Sequence, residues 1–176
     1  MSNSDDSITN PASAATTGAP QPARLWRRLV AAAYDSLLLT AVFLIVTAAI
    51  VLTQRSGIPA GSPGFRGLLA GTGWLYFAWC WVHGGQTVGM RAWKIRVVSA
   101  GNPRRTASWP AATLRFAAAL LPAAPLGLAS AGVRPALAAG LAAACFAAGY
   151  GAAALRTDRA CWHDVISGTR LVRIAG

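Results

Sequence analysis

The sequence predicts an all-α membrane protein: a four-transmembrane-helix bundle with a short cytoplasmic β-ribbon and a disordered N-terminal tail. Three observations lead there. Of 176 residues, 55% are hydrophobic and only 12% charged, against about 25% charged in an average soluble domain. The run Leu29 to Leu52 is interrupted by a single charge, Asp35, and at about 1.5 Å per residue it is long enough for a bilayer core of about 30 Å. Three further apolar runs follow, and the segments between runs hold nearly all the cations.

Residues 1–22 are rich in Ser, Thr, Ala, Asn and Pro and contain no aromatic side chain. Such a segment cannot bury enough apolar surface to offset its ordering entropy, and it is expected to be disordered. It opens with Asp5 and Asp6 rather than a basic stretch, unlike a secretory leader. The transmembrane domain is expected over 23–174. Helix one spans about 25–52, with Trp26 at the headgroup level that suits an indole. A Gly- and Pro-rich loop follows. Helix two spans about 65–82 and ends in an aromatic cluster.

Residues 83–108 form a basic loop. In it Thr87 can cap a short helical turn through Trp93, and Lys94 to Ser99 alternates as a half-exposed strand does. Helix three spans about 109–130. Pro110 suits its first turn, and Pro122 and Pro125 predict a kink near Leu121. Helix four spans about 135–155. Gly140, Ala144 and Ala148 at four-residue spacing permit close backbone approach, which predicts a buried place in the bundle. In the tail, 156–176, Gly168 to Ile174 is the expected ribbon partner of Lys94–Ser99.

The formal charge is +11. The N-terminal flank, the long loop and the tail hold twelve of the sixteen Lys and Arg residues; Arg55, Arg66 and Arg134 lie in the opposite loops, and Arg115 lies within helix three. The positive-inside rule makes the twelve-charge side cytoplasmic, with both termini there. Nucleic acid is not an expected partner, because no basic stripe is interleaved with stacking aromatics. The lipid bilayer is one, and a homo-oligomer or larger membrane complex another, since four helices make a thin wall for any pathway.

Arg28 at the mouth of helix one, Asp35 within it, Gly85-Gln86-Thr87-Val88-Gly89, Lys94-Ile95-Arg96-Val97-Val98 and the ending His163-Asp164-Val165-Ile166-Ser167-Gly168-Thr169-Arg170-Leu171-Val172 together resemble the RDD family. The family is named for one arginine and two aspartates. The resemblance runs from about Leu25 to Arg173, and it implies a small multi-pass protein of the bacterial inner membrane. It maps the name-giving residues to Arg28, Asp35 and Asp164. It also implies a suggested role in transport, including cation/proton exchange in some members; the alternative is a non-transporting scaffold or accessory subunit. Two positions depart from the family pattern: Met90 stands where a lysine is frequent, and Val165 where an arginine is.

Arg28 and Asp35 are seven positions apart, about 10 Å along one helix face. Helical side chains lean toward the N-terminus, so Arg28 leans away from Asp35. Arg115 enters at a similar depth on helix three. The expectation is an Asp35–Arg115 pair inside the bundle, with Arg28 free to meet Asp164 and clamp the tail. Such a network either fixes helix register or handles a proton or ion.

Gly85, Gln86 and Gly89 read as a turning device with Gln86 on helix-end carbonyls, and Gly168 and Thr169 as its counterpart in the tail. Cys80 with His83 and Cys161 with His163 are a weak zinc alternative, since their spacings do not match a zinc finger. No metal or cofactor is called for. No enzyme is expected either: His163-Asp164 with Ser167 are sequence neighbours, and no nucleophile elbow is present.

Overall fold

The computed structural model describes residues 21–53, 59 and 62–174. Apart from Gln21 and Pro22, the expected disordered tail lies outside them, as does most of the loop after the first helix. The long helices are α1 (Leu25–Thr53), α2 (Pro63–His83), α4 (Trp109–Leu120) and α5 (Pro135–Leu155). Two five-residue helices, α3 (Val88–Ala92) and α6 (Trp162–Ile166), and two strands, β1 (Ile95–Ser99) and β2 (Thr169–Arg173), form a cap at one end. Among the described residues, three helical segments are long and apolar enough to cross a membrane: Leu25–Thr53, Trp109–Ala129 and Pro135–Leu155. Helix α2 falls outside that set, although its 21 residues would reach about 30 Å.

Local chemistry sets the boundaries. Helix α2 begins earlier than the sequence reading placed it, because Ser62 Oγ accepts from the Phe65 amide and Pro63 occupies the first helical position. Ser108 caps α4 in the same way. After Leu120 the chain tightens into a 3-10 helix, Leu121–Ala131. Pro122 and Pro125 lack the amides that an α-helix would bond there, so the predicted kink is a change of helix type.

The strands pair antiparallel, with Val97 opposite Leu171. The ribbon is not isolated. Pro22 bridges Val172, the Ala23 amide donates to Leu171 O at 3.0 Å, and the Arg173 amide donates to Gln21 O at 2.8 Å. These bonds hold residues 21–23 and 169–174 side by side at one end of the molecule.

The core sits where the cap meets the ends of the long helices. Ala23, Ala31, Ala78, Trp81, Met90, Ile95, Val97, Ala112 and Leu171 form the buried cluster. Helix α1 buries only Arg28, Ala31 and Asp35; beyond Asp35 its large apolar side chains, such as Leu37, Leu44 and Leu52, face outward. The bilayer is as apolar as they are, so they gain nothing by turning inward. Helix α5 corrects the sequence reading. It packs on the 3-10 segment and touches α1 only lightly, and Gly140, Ala144 and Ala148 are exposed.

Candidate functional site

The cap is joined to the helices by two buried carboxylates. Asp35, 2% exposed, meets the start of α3. Its Oδ1 accepts from the Gly89 amide at 2.9 Å and from the Tyr76 hydroxyl at 3.0 Å; its Oδ2 accepts from Thr87 Oγ1 at 2.5 Å. Each hydroxyl also accepts a backbone amide, Thr87 from Met90 at 3.2 Å and Tyr76 from Val88 at a long 3.4 Å. Three successive amides of α3 thus converge on Asp35, one directly and two through a hydroxyl. A helix this short leaves its first amides without internal partners, and Asp35 answers them from another helix. These donors offset the cost of burying a carboxyl group away from water.

The sequence around Gly89 is what permits this approach. A Cβ there would run into the Ala31 carbonyl oxygen and come within 3.0 Å of Asp35 Cγ. Gly85 holds the preceding turn at φ +69°, where a Cβ would lie 2.8 Å from Val97 O, and its own carbonyl accepts from the Val97 amide at 2.7 Å. Gln86 donates to Ile95 O at 2.8 Å. It therefore ties the turn to β1 and does not serve the carbonyls at the end of α2, where it was expected.

The second carboxylate, Asp164 on α6, is 1% exposed. Its Oδ2 accepts from Arg28 Nη1 at 2.5 Å and from the Cys161 amide at 3.0 Å; its Oδ1 accepts from Arg115 Nη1 at 2.5 Å. Arg28 meets Asp164 as the sequence reading expected. The expected Asp35–Arg115 pair does not form: Arg115 turns to the tail, where it also donates to Thr169 Oγ1 at 2.6 Å and stacks 5.2 Å from the Trp81 ring. The two acidic groups satisfy separate donors, one set neutral and one cationic. Burial alone would raise the Asp164 carboxyl, but Arg115 and Arg28 outweigh it and hold it at about 2.

Thr169 therefore supports a guanidinium and shares a hydrogen with Ser167 at 2.7 Å. Gly168, at φ +61°, turns the chain from α6 into β2. Ser167 Oγ donates to the His163 carbonyl at 2.5 Å, a backbone bond that gives no alcohol–imidazole pair. Desolvation, then Arg115, pushes the His163 imidazole down to about 4.

The zinc alternative is corrected as well. Cys161, His163 and Asp164 bring ligand atoms within 4.8 Å of one another, without Cys80 or His83. His83 instead stacks on Trp79, with ring centroids 3.9 Å apart. Both Asp164 oxygens face guanidiniums, and burial followed by Asp164 raises the Cys161 thiol. That donor set is unfavourable for a cation.

A cavity of about 260 Å³ lies between the two carboxylate clusters, bordered by Arg28, Asp35, Trp81, Arg115, Tyr150 and His163. Two of the residues that line it, Arg115 and Trp81, each carry a buried N–H, Nε and Nε1, that lacks a hydrogen-bond partner among the described residues. Sequence reasoning missed Tyr76, Tyr150 and Trp81. The aromatic cluster at the end of helix two contains two of them, and its sequence does not separate a packing surface from side chains at a membrane interface.

Searches of curated proteins and of solved structures return no match. The family model described as RDD family matches residues 22–168. That span contains Arg28, Asp35, Arg115 and Asp164 and the cap up to the start of β2, and the chain belongs to the RDD family.

Proposed function

We propose that the protein is a non-transporting membrane module, a scaffold or accessory subunit whose cap is locked onto its helices. The observation that carries this reading is the saturation of both buried carboxylates by fixed internal donors. A carboxylate that must exchange a cation or a proton needs a partner that can leave, and Thr87, Gly89, Arg28 and Arg115 are parts of the fold. The outward-facing Gly140, Ala144 and Ala148 of α5 support assembly with a second copy or a larger membrane complex, because small residues at this spacing favour helix contact in lipid.

Four crossings fit this reading. Residues 22 and 172 are paired, so the chain between them crosses an even number of times; α2 then joins the three more apolar helices. The cations on the cap side support a cytoplasmic cap on a bacterial inner membrane.

A second reading, transport, is favoured by the cavity beside Asp35 and its unpartnered N–H groups. Cation-coupled proton flux in proteoliposomes separates the two. The module reading expects no flux above empty vesicles, and a lower unfolding temperature for Asp35→Asn. Flux that Asp35→Asn abolishes while the variant stays folded would establish transport.

A further inference from the structure

A second concavity, of about 380 Å³, lies outside the two carboxylate clusters, where the N-terminus of α1 meets the chain leaving α5. Arg24, Arg27, Arg159 and Arg173 line it with Trp26 and Thr157, and among the described residues no carboxylate does. Charges that only set topology have no need to converge, yet these four come from three separate stretches of chain. Asp158, the nearest acid in sequence, is drawn away by Arg156, whose Nε and Nη2 lie 3.0 and 3.2 Å from its oxygens. Arg159 adopts φ +50°, a left-handed conformation that disfavours an L side chain, in the turn where its amide donates to Arg156 O at 3.1 Å. The first turn of α1 contains no acidic residue, so none of its own side chains answers the positive end of this 29-residue helix.

We propose that this concavity holds the phosphate of an anionic glycerophospholipid from the leaflet on the cap side. Its position favours a lipid over a free anion. Trp26 is exposed at its rim, with Arg27 Cζ 5.0 Å from the indole ring. Leu29, Val30 and Leu155 are exposed on the adjoining helix surfaces, where acyl chains would lie. Basic pockets between helix ends on this side of a membrane suit such headgroups.

The test is native mass spectrometry of the full-length protein in detergent, titrated with dioleoylphosphatidylglycerol, with dioleoylphosphatidylcholine, and with phosphatidylglycerol in the presence of inorganic phosphate. The wild type is expected to prefer phosphatidylglycerol on the order of tenfold, and Arg24→Gln/Arg159→Asn to lose most of that preference. Asn tolerates the left-handed backbone at 159. Arg104→Gln/Arg105→Gln, on the same face but outside the concavity, is expected to stay within about twofold of wild type, since it removes only diffuse charge. If the first double variant does not fold, Arg24→Gln alone serves, because no hydrogen bond or ion pair ties down that exposed side chain among the described residues. Equal binding of the two lipids, equal loss in the Arg104/Arg105 control, or displacement of the lipid by inorganic phosphate would each overturn the assignment.

Discussion

The Gly89 amide donates to Asp35 Oδ1 at 2.9 Å, joining α3 to α1 across 54 positions of sequence. The contact needs the absence of a side chain at 89, because a Cβ there would collide with the Ala31 carbonyl. Gly89→Ala is expected to lower unfolding stability in detergent by about 2–4 kcal/mol, combining overpacking with a weakened buried bond. Chemical denaturation followed by tryptophan fluorescence measures it.

Asp164 is a harsher site. Asp164→Asn leaves Arg28 and Arg115 buried without their shared counter-charge. Removing one member of a buried ion pair costs about 3–5 kcal/mol. The variant is expected to lose the cap before the helices, seen as protease cleavage within 156–174 while far-ultraviolet circular dichroism remains largely helical.

Acid should weaken the cap in two stages. The His163 imidazole is depressed from 6.5 to about 4, so the folded state favours the neutral ring. Its contribution is complete above about pH 6.5 and is lost as pH falls toward 4. Asp164 is depressed from 3.8 to about 2, so its contribution is complete above about pH 4 and is lost as pH falls toward 2. Melting temperature against pH should slope down from pH 6.5. His163→Gln should flatten the upper stage and leave the lower one.

Much of this arrangement is legible in the sequence. Apolar length identifies α1, and alternation in Lys94–Ser99 gives the ribbon and its partner. Thr87 caps a short helix as its position suggests, and Arg28 meets Asp164, which the family resemblance singles out in the tail. The partner of Asp35 is harder to read. Charge type points to Arg115, but its actual donors are two hydroxyls and a backbone amide, and no residue letter announces an amide. The signal was Gly89 itself, which reads as a turn glycine until the Ala31 carbonyl beside it is known. The place of α5 is hidden for another reason: in lipid, an Ala- and Gly-rich helix is equally at home inside or outside a bundle.

The clasp at Asp35 is the central claim, and a pair of double-mutant cycles tests it most directly. One joins Asp35→Asn with Thr87→Val; the other joins Asp35→Asn with Arg115→Met; both are read as unfolding free energies. The geometry predicts a coupling of about 1 kcal/mol or more for Asp35 with Thr87, and no more than about 0.5 kcal/mol for Asp35 with Arg115. The reverse order would mean that the guanidinium, and not the start of α3, holds this carboxylate.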